Sequence, residues 1–140
     1  MKSPFTQLYL HCVWSTWDRL PLLTSEVEQA VYASIIIGKS KELKCLPLAI
    51  GGMPDHIHLL VRLHTTVAVA DLIKEAKGAS SHLVNHKISP GEFFKWQGCY
   101  GAFTLAKEAV PAVKAYIDQQ KRHHGEGNIF TEWEVTEETG

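Results

Sequence analysis

The chain is 140 residues long, 45% hydrophobic and 21% charged, with ten glycines and six prolines. That length suits one domain able to bury a core without metal or disulfide support, and the composition excludes disordered and collagen-like chains. Fourteen Lys and Arg against fifteen Asp and Glu give a formal charge of −1, which excludes an indiscriminate polycation but not a local basic surface. No apolar run approaches the roughly 20 residues that cross a bilayer, and the opening MKSPFTQLYLHCVW makes a poor signal peptide. Cys12, Cys45 and Cys99 are an odd, widely spaced set without a zinc pattern, so a reducing cytoplasm is the expected compartment.

Residues 5–17 are rich in Phe, Tyr, Val, Trp and Thr, as strands are, and Asp18-Arg19-Leu20-Pro21 reads as a turn. Thr24 is placed to cap a helix reaching about residue 43, with Glu26 and Glu28 at its positive end and Val27, Val31, Ser34 and Ile35 as its inward stripe. A second strand, 44–50, contains Pro47, which predicts an edge or a bulge. Gly51-Gly52-Met53-Pro54 is then expected to turn the chain into a third strand over 56–63. Helical spacing returns over 67–88 through Val69, Leu72, Ile73 and Ala76, and Ser89-Pro90-Gly91 ends it. An aromatic loop, a fourth strand over 99–105 and a last helix from Glu108 to His124, with Pro111 in its first turn, complete the chain. The order β-α-β-β-α-β-α predicts an α/β (α+β), ferredoxin-like fold: a four-stranded antiparallel sheet, helices on one face and an additional C-terminal helix. That domain is expected over 1–124. Residues 125–140 hold five acidic residues and no Lys or Arg, leaving 1–124 at +4. The tail reads as a solubilising end, or as a segment that modulates a basic groove.

The sharpest local feature is Asp55-His56-Ile57-His58-Leu59-Leu60-Val61-Arg62-Leu63. On a strand, His56 and His58 project to one side and Ile57, Leu59, Val61 and Leu63 to the other. Two imidazoles so spaced can share a cation, although exposed or hydrogen-bonded histidines explain the pair as well. The last helix carries Tyr116 and Gln120 four residues apart, with His123 on the same face. Docked on the open sheet face, it can bring the Gln120 carbonyl oxygen beside the histidines and Tyr116 one turn away. A hydrogen-bonded core tyrosine is the plainer alternative. Beside a cation, a phenol can attack a phosphodiester and hold it as a phosphotyrosine, whereas activated water would simply cut. Arg19, Lys74, Lys77, Ser80, Ser81, Lys95 and Trp96 are candidate nucleic-acid contacts: Lys74, Lys77 and Ser81 as a helical stripe towards phosphates, 93–97 as a segment that stacks on unpaired bases. Solvated charges and core aromatics compete with that assignment.

With these residues in place, the chain resembles the HUH single-tyrosine transposases of small insertion sequences and their repeat-associated relatives. The segments that carry the resemblance are HCVWSTWDRLPLLT at 11–24, GGMPDHIHLLVRL at 51–63, IKEAKGASSHLV at 73–84, FKWQGCYGAFTL at 94–105 and VKAYIDQQKRHH at 113–124. The resemblance implies His56, His58 and Gln120 as ligands of a divalent cation, Mg²⁺ or Mn²⁺; Asp55 and His123 are candidates to support those ligands from behind. It implies Tyr116 as the nucleophile that forms a 5′-phosphotyrosine with single-stranded DNA folded as a hairpin or imperfect palindrome, in a homodimer. The function expected is DNA transposition or repeat processing; a noncatalytic or repurposed hairpin-binding protein is the alternative.

Overall fold

The structure is a computed structural model that describes residues 2–120 and 133–137. Strands β1 (Tyr9–Ser15), β2 (Leu46–Met53), β3 (His56–Arg62) and β4 (Gly101–Leu105) form one sheet in the order β2-β3-β1-β4, every neighbouring pair antiparallel. Helices α1 (Ser25–Ala33) and α2 (Val69–Leu83) cover one face and α3 (Val110–Asp118) lies against the other. The expected ferredoxin-like plan is present. No helix among the described residues is long and apolar enough to cross a membrane.

Period two on the central strands builds both layers. Ile57, Leu59 and Val61 of β3 pair with Trp14, Cys12 and Leu10 of β1, and all six pack with Val27 and Val31 of α1 and Leu72, Ile73 and Ala76 of α2. Ile57, Leu59 and Val61 are wholly buried, each contributing about 1.5–3 kcal/mol. On the other face Leu60 and Ala49 meet Val113 and Ile117 of α3. Burial also pushes the Cys12 thiol up to about 12, the neighbouring Cys45 adding to the effect, so Cys12 is a packing residue at neutral pH.

Local signals account for the element ends. The Thr24 hydroxyl accepts from the Val27 N–H at the start of α1, and Pro111 sits in the first turn of α3, where a missing N–H costs nothing. The strand register shifts between Pro47 and Ala49 on β2, an edge strand, as the proline foretells. Two helices end earlier than periodicity suggests, because Ser34–Ser40 and Val84–Ile88 continue them as wider π-helical turns.

Gly51 and Gly52, expected in a turn, lie inside β2 instead. They are there for close approach: a Cβ on Gly51 would sit 2.3 Å from the Ile117 carbonyl oxygen, and one on Gly52 would sit 2.2 Å from that of His56. Glycine therefore lets α3 press onto the sheet edge. Gly51→Ala should force the two apart and cost about 1–3 kcal/mol, read as a lower urea midpoint. Gly78→Ala should raise stability by up to about 1 kcal/mol, read as a higher midpoint, because its Cβ would meet nothing within 4 Å.

Candidate active site and metal centre

His56 and His58 leave β3 on the α3 side, and each ring is held from behind. The Nδ1 of His56 lies 2.7 Å from Asp55 Oδ1, and the Nδ1 of His58 lies 2.8 Å from Nε2 of His11 on β1. His11 and His58 are buried and stacked, with ring centroids 5.1 Å apart. Burial and the neighbouring His58 lower the His11 pKa to about 3, so His11 is neutral. Burial also works against charge on His56, but Asp55 and Glu134 outweigh it and raise its pKa to about 9. With both Nδ1 atoms engaged, both Nε2 atoms turn to a common centre.

Three further groups reach that centre. Gln120 Oε1 is 3.3 Å from His56 Nε2. Glu134 Oε1 stands 3.0 Å from His56 Nε2 and its Oε2 3.0 Å from His58 Nε2, and the Tyr116 hydroxyl donates to the same carboxylate. Burial raises the Glu134 pKa, but the hydrogen bonds from His56 and His58 prevail and hold it well below the usual carboxylate range. Tyr116 is 2% exposed, its ring edge-on to His58 and to Trp133, with centroids 5.8 and 5.0 Å away. The tyrosine thus meets the histidines of its own chain. His56, His58 and Glu134 form a group able to hold a metal ion, their ligand atoms within 4.8 Å of one another. Donor separations of 3.0–3.3 Å match those of cis ligands on a hard divalent cation, about 3 Å for bonds near 2.1 Å.

The expected nucleic-acid contacts divide. Lys77, Ser80 and Trp96 are used inside the fold: Lys77 Nζ donates to the carbonyls of Gln97 and Cys99 at 2.7 and 3.0 Å, and the Ser80 hydroxyl accepts from Trp96 Nε1 at 3.0 Å. Trp96 is 7% exposed, so the reading of this indole as a free stacking surface is corrected: it packs edge-on against Trp14 and Phe94. Ser81 bonds back to the Gly78 carbonyl, and Lys74 is exposed on α2, across the sheet from the histidines. Arg19 stands at the site itself, its Nη1 3.7 Å from Asp55 Oδ2, and Lys95 is exposed with its Nζ over the Trp17 ring. His123 lies outside the described residues.

Sequence reasoning passed over His11, Trp133 and Glu134. His11 had a signal: it falls in the α3-facing set of β1, a polar residue next to Leu10 and Cys12 of the packing set. Glu134 had none, being one of five acids in a tail whose course no local pattern specifies. Val135 lies close to β4, since a Cβ on Gly101 would sit 1.9 Å from the Val135 carbonyl oxygen.

Comparison with known proteins agrees with this geometry. The family described as "Transposase IS200 like" matches residues 4–120. The ISDra2 transposase TnpA of Deinococcus radiodurans is 26% identical over 122 residues, covering 81% of this chain and 84% of that protein. Two solved structures share the fold. A putative transposase from Deinococcus radiodurans superposes with a TM-score of 0.62 at 23% identity, covering 86% of this chain and 95% of the other. A REP-associated tyrosine transposase bound to a REP hairpin superposes with a TM-score of 0.66 at 17% identity, covering 89% and 73%. A match of that extent, on a sheet that carries paired histidines beside a helix-borne tyrosine, means that the chain belongs to the IS200-like transposases, HUH enzymes that process single-stranded DNA through a tyrosine.

Proposed function

We propose that Tyr116 cuts and rejoins single-stranded DNA at a phosphodiester held beside a divalent cation, in DNA transposition or repeat processing. The observation that carries this reading is the Glu134 carboxylate, one anionic group within hydrogen-bond distance of both Nε2 atoms and of the Tyr116 hydroxyl. A phosphodiester is also an anionic group with two free oxygens, and in that place it would touch the same partners.

His56, His58 and Gln120 hold the cation in this reading, with Glu134 as a further oxygen donor. Bound there, Mg²⁺ or Mn²⁺ offsets charge on the phosphate oxygens; two imidazoles suit Mn²⁺ somewhat better. Asp55 accepts the Nδ1–H of His56, neutral His11 accepts that of His58, and each Nε2 lone pair is thereby aimed inward. As the DNA enters, Tyr116 gives up its hydrogen bond to Glu134. The Tyr116 oxygen then bonds to phosphorus as the P–O3′ bond breaks, leaving a 5′-phosphotyrosine, and the phenol proton ends on the departing 3′-oxygen as a 3′-hydroxyl. Attack by a 3′-hydroxyl reverses the sequence and rejoins the strand. The relative bound to a REP hairpin supports a hairpin or imperfect palindrome as substrate, and family membership supports a homodimer.

The burial of Tyr116 against Trp133 and Glu134 favours a second reading, a hairpin-binding protein that retains the fold without the reaction. Labelled single-stranded hairpin DNA with Mn²⁺ separates the two. We expect an SDS-resistant complex that Tyr116→Phe abolishes; binding without cleavage would establish the second reading, and cleavage without an adduct would mean hydrolysis by water. His56→Ala and His58→Ala should each lower cleavage at least about 100-fold while changing hairpin affinity only a few-fold. Asp55→Asn should weaken Mn²⁺ binding, titrated by electron paramagnetic resonance without DNA, by about 10–100-fold; unchanged affinity would refute the orienting role of Asp55.

A further inference from the structure

We propose that Trp17, flanked by Lys95 and Arg19, is a stacking site for an unpaired nucleotide next to the scissile phosphate. This rests on the function proposed above and specifies where the single strand lies. Trp17 is 40% exposed, whereas Trp14 and Trp96 are buried in the core. Lys95 Nζ stands 4.1 Å from the centre of its ring. Both side chains reach solvent, so the pair contributes less to holding the fold than the buried tryptophans do.

The backbone beneath the pair is firmly held. The Trp17 N–H donates to the Lys95 carbonyl at 2.9 Å, the Thr16 N–H to the Asp55 carbonyl at 2.9 Å, and the Asp18 N–H to Gln97 Oε1 at 3.1 Å. Asp18 and Arg19 both have φ 51°, a left-handed conformation uncommon for residues other than glycine, found where surrounding contacts impose it. The turn thereby carries Trp17 and Arg19 within three residues of one another. Arg19 in turn lines a groove of about 500 Å³ shared with Pro21, Pro54, Asp55, His56 and Glu134. Arg19 thus lines the catalytic groove, and Trp17, with Lys95 over its ring, lies two residues before it in the chain.

That combination selects its ligand by chemistry. A flat apolar ring stacks on any base whose face is free, and two cations suit the phosphates on either side of it. Bases in a duplex have no free face, so the ligand is a single strand. A lysine over an exposed indole is held weakly, and an incoming base can take its place while the ammonium moves to a phosphate.

The test compares a blunt DNA hairpin with the same hairpin carrying a single-stranded flank on its 5′ or 3′ side. Wild-type protein should bind one flanked form more tightly than the blunt form. Trp17→Ala should erase that increment, a loss of about 5–100-fold, and Trp17→Phe should retain most of it. Lys95→Ala should lower the salt dependence by about one counterion. Wild-type affinity in Trp17→Ala for the flanked hairpin would overturn the proposal, as would an equal loss on the blunt one or a Trp17→Phe loss as large as that of alanine. Tyr116 adduct formation by the wild type, measured on the same DNAs, separates the two claims: an adduct with no Trp17 effect sinks only the stacking site, and absence of the adduct sinks the proposed function.

Discussion

Everything in this protein depends on β3 having two faces. Ile57, Leu59 and Val61 are clamped by α1 and α2, and that apolar grip orients His56 and His58 on the reverse side without any contribution from the histidines themselves. A one-residue slip of register would exchange the sets, burying two imidazoles in the core and presenting three aliphatic chains to Tyr116. Pairing on both sides, with β1 and β2, blocks that slip. The energy that stabilises the sheet and the geometry that sets the chemistry come from the same alternation.

The second constraint is the short distance between α3 and the sheet. Gly51 lets the Ile117 carbonyl approach β2, and Val113 and Ile117 anchor the helix on Leu60 and Ala49. Tyr116 and Gln120 then fall on the histidines. Glu134 closes the arrangement with its carboxylate bonded to both imidazoles and to the phenol. Such a half-buried anion persists only where donors surround it, and this chain supplies them from β3 and α3.

Charge is used sparingly. At −1 overall, the chain has little general attraction for phosphate, so placement matters more than number. Lys77 serves two loop carbonyls, while Arg19 lines the groove and is the cation that geometry offers to a strand entering the site. The tail adds five negative charges and inserts one of them among the ligands.

Local sequence determined the element order, the ferredoxin-like plan, the Thr24 cap, the Pro47 edge or bulge and the shared face of His56 and His58, because each depends on residue types and spacings within a few residues. The same local information could not distinguish an exposed tryptophan from a buried one: Trp96 lay in a promising aromatic run and turned inward to Ser80, while Trp17 stayed outside. Nor could it tell Gly51 and Gly52 in a strand from glycines in a turn, since the reason for them is the Ile117 carbonyl, 66 residues further on, for one, and that of His56 for the other. His11 and Glu134 entered the site only through tertiary structure, His11 by the β1–β3 register and Glu134 by the course of a tail with no periodic pattern. Which residues can touch is set by packing between distant segments, and that information is carried by the whole chain and by none of its parts.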